Sequence, residues 1–89
     1  MIKILIQLNT KEIRDYLESN GYRYYATYPP KEENEILIAD PLNKTYIGWD
    51  SFEKFMYIRN KLKEEFGVSS EILNCEKDIN KFYEELSKI

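Results

Sequence analysis

Three adjacent apolar residues, Ile36, Leu37 and Ile38, lie in a short segment bounded by Glu35 and Asp40. Successive side chains on a strand point to opposite faces. A strand carrying this run therefore needs cover on both sides and a central place in its sheet. Asp40-Pro41-Leu42-Asn43 follows with turn chemistry, because proline presets the dihedral of the turn's second residue. Lys44 to Trp49 then supplies a returning strand, so residues 35–49 read as a hairpin.

The opening segment alternates: Ile2, Ile4, Ile6 and Leu8 share one side, with Lys3, Leu5 and Gln7 on the other. Period two with β-branched residues predicts a strand with one buried face. Asn9 is placed to cap a helix, with Glu12 completing a capping box and Leu8 and Ile13 spaced as a hydrophobic staple. Ile13, Tyr16 and Leu17 form its apolar stripe, and Asn20-Gly21 gives a left-handed exit. Tyr22 to Tyr28 reads as a second strand, rich in aromatics and ended by Pro29-Pro30.

Asp50 and Glu53 have the spacing of a capping pair for a helix over 51–66, whose face is Phe52, Phe55, Ile58/Arg59, Leu62 and Phe66. Gly67 ends it, with Val68 folding back on Leu62. The last segment fits two descriptions. Ile72, Cys75, Ile79, Phe82 and Leu86 suit a continuous helix from about Ser70 to Lys88, which the spacing favours. A short strand at 69–74 followed by a helix from about 76 fits as well. The expected fold is one α+β domain over residues 1–89. It has a small single-layer, antiparallel-rich sheet of four or five strands with two or three helices packed on one face, in the order β-α-β-β-β-α-(β)-α.

Composition excludes more than it selects. The 89 residues hold no histidine and one cysteine, so the commonest general base, an internal disulfide and a thiolate zinc cluster are all missing. No phosphate loop or dinucleotide fingerprint occurs, and no Asp-rich loop with a central glycine suggests calcium. No cofactor or metal is implied, and no paired carboxylates stand out as general acid and base. The expectation is a non-enzyme. Cys75 reads as a small core residue, Gly48 as a bulge or close backbone approach, and Trp49 as a core anchor. The apolar start is too short to span a membrane and lacks a signal-peptide cleavage pattern, so the cytoplasm is the default compartment. A core of this size stabilises a monomer only modestly, and a homodimer is compatible with it.

Thirteen basic and sixteen acidic residues leave a net charge of −3. The acids cluster at Glu32-Glu33-Glu35, Glu64-Glu65 and Glu84-Glu85. The candidate binding residues are Tyr22, Tyr24, Tyr25 and Tyr28 with Glu32, Glu33 and Glu35. They bring aromatic anchors next to a charged rim, as protein interfaces do. Tyrosines beside Arg23, with Lys31 and Arg14 near, are also what a single-stranded nucleic-acid platform uses, and this is the alternative reading.

The order of a helix at 10–20, three strands and a helix at 51–66 resembles that of the double-stranded RNA-binding domain. In that family the second helix begins with a lysine cluster that grips phosphates. Here the same place reads Asp50-Ser51-Phe52-Glu53-Lys54, which sets carboxylates against an RNA backbone. Small size, acidity and an Ile-, Lys-, Asn- and Tyr-rich, alanine-poor composition are similar in profile to those of phage-encoded inhibitors of host defence nucleases. The functional expectation is an acidic, protein-binding inhibitor or regulator of a basic, nucleic-acid-handling protein, with no membrane contact and little affinity for nucleic acid.

Overall fold

A computed structural model describes residues 2–25, 33–66 and 70–88. The elements run β1 (Ile2–Leu8), α1 (Lys11–Ser19), β2 (Arg23–Tyr24), β3 (Ile36–Asp40), β4 (Thr45–Trp49), α2 (Phe52–Phe66), β5 (Ser70–Asn74) and α3 (Ile79–Ser87). The expected class and element order are present, with the fifth strand formed. Five strands make one sheet in the order β2-β4-β3-β1-β5. The inner pairs β1–β3 and β3–β4 are antiparallel, and the outer pairs β1–β5 and β2–β4 are parallel, so the sheet is mixed.

β3 is the middle strand, and Ile36 to Ala39 are all buried. Leu37 and Ala39 meet α1 and α3 through Ile13, Leu17 and Phe82 on one side. Ile36 and Ile38 meet Phe52 and Phe55 of α2 on the other. The helices therefore divide two and one between the faces, where the pattern had placed them together. The physical reason lies in β1 and β3. Leu5 and Gln7 are as buried as Ile6, so both parities of β1 need cover, and a single helical layer cannot supply it. At the end of β1, Leu8 is 43% exposed, and with the cap at Thr10 it no longer holds the position of a staple residue.

The turns explain the boundaries. Thr10, one residue after the expected cap, has the extended backbone of an N-cap and accepts the Ile13 amide at 3.2 Å. Asn9 instead ties α1 to the chain before β3. Its side chain donates to the Asn34 carbonyl at 2.8 Å, and its amide donates to the Glu35 carbonyl at 3.1 Å. Gly21, at φ +84°, ends α1 in the left-handed conformation. Its amide reaches Glu18 O at 3.1 Å and the Tyr22 amide reaches Leu17 O at 3.0 Å, the paired bonds of a Schellman stop. Asp40 organises the hairpin loop by accepting the Leu42 and Asn43 amides at 3.1 and 3.4 Å.

Residues 70–74 form a strand and Asp78 caps a separate helix by accepting the Lys81 amide at 3.0 Å. Apolar spacing favoured one long helix, but that would leave the outer edge of β1 unpaired. The parallel ladder fills that edge, and the Cys75 amide extends it to Ile6 O at 2.8 Å. Buried Gln7 completes the seam, donating to Cys75 O at 2.6 Å while accepting the Leu8 amide at 2.7 Å. Tyr28, Pro29, Pro30, Lys31, Glu32 and the Gly67-Val68 stop lie outside the described residues.

Candidate interaction surface

The tyrosine segment divides by parity. Tyr22 is 4% exposed and belongs to the core, its buried hydroxyl without a hydrogen-bond partner among the described residues and the Lys44 ammonium 4.9 Å from its ring centre. Burial first, then the charge of Asp40, pushes its phenol up from the ordinary 10.0. Tyr24 is half-buried and meets Tyr46 edge-on at 5.1 Å. Tyr46 in turn donates to Glu18 Oε1 at 2.5 Å. Of the described tyrosines of this segment, only Tyr25 presents its ring to solvent, at 69% exposure, while its amide continues the ladder to Tyr46 O at 2.7 Å. Glu33 and Glu35 are exposed. Tyr28 and Glu32 fall outside the described residues; of the other expected residues Tyr25, Glu33 and Glu35 are exposed and Tyr22 is in the core.

A second surface forms where β4 passes into α2. Glu35 is fixed beside it, its amide donating to Trp49 O at 3.1 Å. Gly48 permits the close approach that places this stretch: a Cβ at 48 would lie 2.8 and 2.9 Å from Asn34 Cγ and Cβ. The β3–β4 register runs unbroken through Gly48, so of the two expectations the close approach holds and the bulge does not. Ser51 caps α2, accepting the Lys54 amide at 3.2 Å, which shifts the cap one residue from Asp50. Asp50 pairs with the Lys54 ammonium at 3.2 Å.

Two concavities flank this first turn. One, of about 370 Å³, is lined by Trp49, Asp50, Glu53, Lys54, Tyr57 and Ile58. The other, of about 460 Å³, is lined by Glu35, Ser51, Phe52, Glu53, Asn74 and Glu76. Glu53 lines both, so the aromatic-walled groove and the acidic hollow share it as a common wall. Tyr57 and Ile58 are 61% and 43% exposed, and Trp49 is half-buried, packed under α2 while also walling the groove. The side-chain carboxylates of Glu35, Glu53 and Glu76 have no hydrogen-bond or ion-pair partner among the described residues. Nor, among those residues, is any group of three potential ligands arranged to hold a metal ion.

Of this surface the sequence reading had only Glu35, and it placed Ile58 inside. The missed signal is the run Phe55-Met56-Tyr57-Ile58. Four consecutive apolar residues wind right around a helix, and a single sheet face cannot bury them all. Among the described residues no helix is long and apolar enough to cross a membrane. Comparison with family models, curated proteins and solved structures returns no match, so the chemistry of this surface rests on its own residues.

Proposed function

We propose that the chain is a small non-enzymatic module that binds another protein through the outer flank of α2, as an inhibitor or regulator of a basic, nucleic-acid-handling partner. The observation that carries this reading is that the Trp49–Tyr57–Ile58 groove and the acidic hollow of Glu35 and Glu76 lie on either side of one residue, Glu53. An apolar, aromatic centre with a charged rim is the anatomy of a protein interface. The net charge of −3 and three carboxylates without a side-chain partner among the described residues suit a basic surface. Tyr25, with Glu33, extends the candidate contact toward the β2 edge.

The test is quantitative capture from an extract of the source cells, followed by kinetics on the purified partner. Tyr57→Ala should speed dissociation, and a hot-spot role corresponds to about 2 kcal/mol or more. Glu53→Lys with Glu76→Lys should slow association and flatten its salt dependence. Glu84→Lys, on α3 across the sheet, serves as the control. Tyr25→Ala asks whether β2 takes part. A partner whose rates are unchanged by the three α2-flank substitutions would refute the docking face.

A further inference from the structure

We infer that the groove of Trp49, Tyr57 and Ile58 receives an arginine side chain from the partner. The inference rests on the protein-binding reading and specifies the chemistry of its occupant. Two aromatic residues wall the groove, and an aromatic face attracts a cation through its quadrupole. The Lys61 ammonium lies 5.7 Å from the Tyr57 ring centre, so an incoming guanidinium must take the other face of that ring or displace it. Two carboxylates also line the groove, but Asp50 is engaged by Lys54 at 3.2 Å. Glu53, without a partner among the described residues, is the acid available to an incoming charge.

The choice of arginine over lysine follows from the walls. An ammonium is a compact, strongly hydrated charge, and apolar walls strip its water without replacing the hydrogen bonds. A guanidinium is weakly hydrated on its faces, stacks flat on aromatic rings and offers a planar fork of donors to a carboxylate. Glu53 stands at the boundary between groove and acidic hollow, where a fork entering along the rings would meet it. Beyond it, Glu35 and Glu76 provide room for a second cationic side chain from the same segment. The occupant is thus a basic stretch of protein with an arginine at its centre.

Trp49 is the sole tryptophan, so intrinsic emission reports on the groove directly. The probes are hexa-arginine, hexa-lysine and hexa-citrulline peptides, titrated at about 150 mM salt with calorimetry alongside. Hexa-arginine should shift Trp49 emission saturably and bind about tenfold more tightly than hexa-lysine, while uncharged hexa-citrulline should not bind. Tyr57→Ala and Glu53→Gln, each checked for native circular dichroism, should weaken hexa-arginine by about tenfold, whereas Glu84→Gln should leave it unchanged. Equal binding of the arginine and lysine peptides, indifference to Tyr57→Ala, or silence in both emission and heat would overturn the inference. If the peptides fail while Tyr57→Ala still loosens the natural partner, the docking face stands and its occupant is not arginine. If both fail, the docking face falls as well.

Discussion

Replacing Gly48 by alanine tests how the interaction surface is held in place. The added methyl would lie 2.8 and 2.9 Å from Asn34 Cγ and Cβ, where carbon contacts are comfortable at about 3.5–4.0 Å. Asn34 cannot simply swing away. It is buried, its carbonyl holds the Asn9 side chain at 2.8 Å, and the next residue, Glu35, is pinned by backbone bonds of 3.1 Å to both Asn9 and Trp49. The strain must pass into the backbone, and overpacking of this kind costs about 1–3 kcal/mol. Urea unfolding followed by circular dichroism should show a midpoint lowered by roughly 1 M for a loss near 2 kcal/mol. A double-mutant cycle sharpens the point. Asn34→Ala keeps the offending Cβ and should rescue Gly48→Ala only partly, whereas Asn34→Gly removes every contact within the clash. The Gly48→Ala and Asn34→Gly pair should therefore be less destabilised than the sum of the singles by about 1–2 kcal/mol. A Gly48→Ala protein with the wild-type midpoint, or a cycle without coupling, would refute the reasoning.

Cys75→Ala should cost about 1–2 kcal/mol as a small cavity, and the buried thiol, its pKa raised mainly by burial, should resist a thiol reagent until the protein unfolds. Gln7→Leu orphans the Leu8 amide and leaves the Cys75 carbonyl with the Asp78 amide alone, and should cost about 1–3 kcal/mol in a urea titration; a loss below about 0.5 kcal/mol would mean that the seam is not held by that side chain. Burial, then the Glu18 hydrogen bond and charge, raises the Tyr46 phenol above 10.0, and burial raises Tyr22. Both favour the protonated form in the folded state, so their stabilisation is complete below pH 10.0 and lost as pH climbs from there through the folded values. Urea midpoints measured across that range should fall for the wild type and fall less for Tyr46→Phe. Binding of single-stranded oligonucleotides at about 150 mM salt should be weaker than micromolar, because a net −3 chain releases few counterions; submicromolar binding would restore the tyrosine-platform reading.

The sequence was most legible where local chemistry decides. Gly21, the Asp40–Asn43 turn and the triple apolar run of β3 each point to one conformation, and the structure adopts it. It was misleading where two elements compete for one surface. The spacing of Ile72, Cys75 and Ile79 satisfies a helix as well as a strand and turn, and only the vacant edge of β1 decides between them. The run at Ile36–Ile38 already demanded cover on both sides, which contradicts a single helical layer; the middle strand is the one obeyed. The interaction surface was the least legible part. It joins Glu35, Glu53 and Glu76, residues far apart in the chain whose proximity depends on a register that no local pattern encodes. Tyrosine abundance drew attention to the segment 22–28, where Tyr22 serves the core.

The parallel ladder between β1 and β5 joins residues 2–6 to residues 70–74. During synthesis the β3–β4 hairpin can close as soon as it leaves the ribosome, and β1 can lie down beside β3. The other edge of β1, carrying Ile4, Leu5 and Ile6, stays bare until the final fifth of the domain has been made. Long-range parallel pairing pays its loop-closure entropy before contacts compensate, so docking of β5, with α3 behind it, should be the slow closing step. A nascent chain waiting at that stage presents an apolar strand edge to its neighbours on the polysome. Protection from aggregation thus resides in residues 70–87, and a chain stopped after α2 would have most of the core and none of that safety.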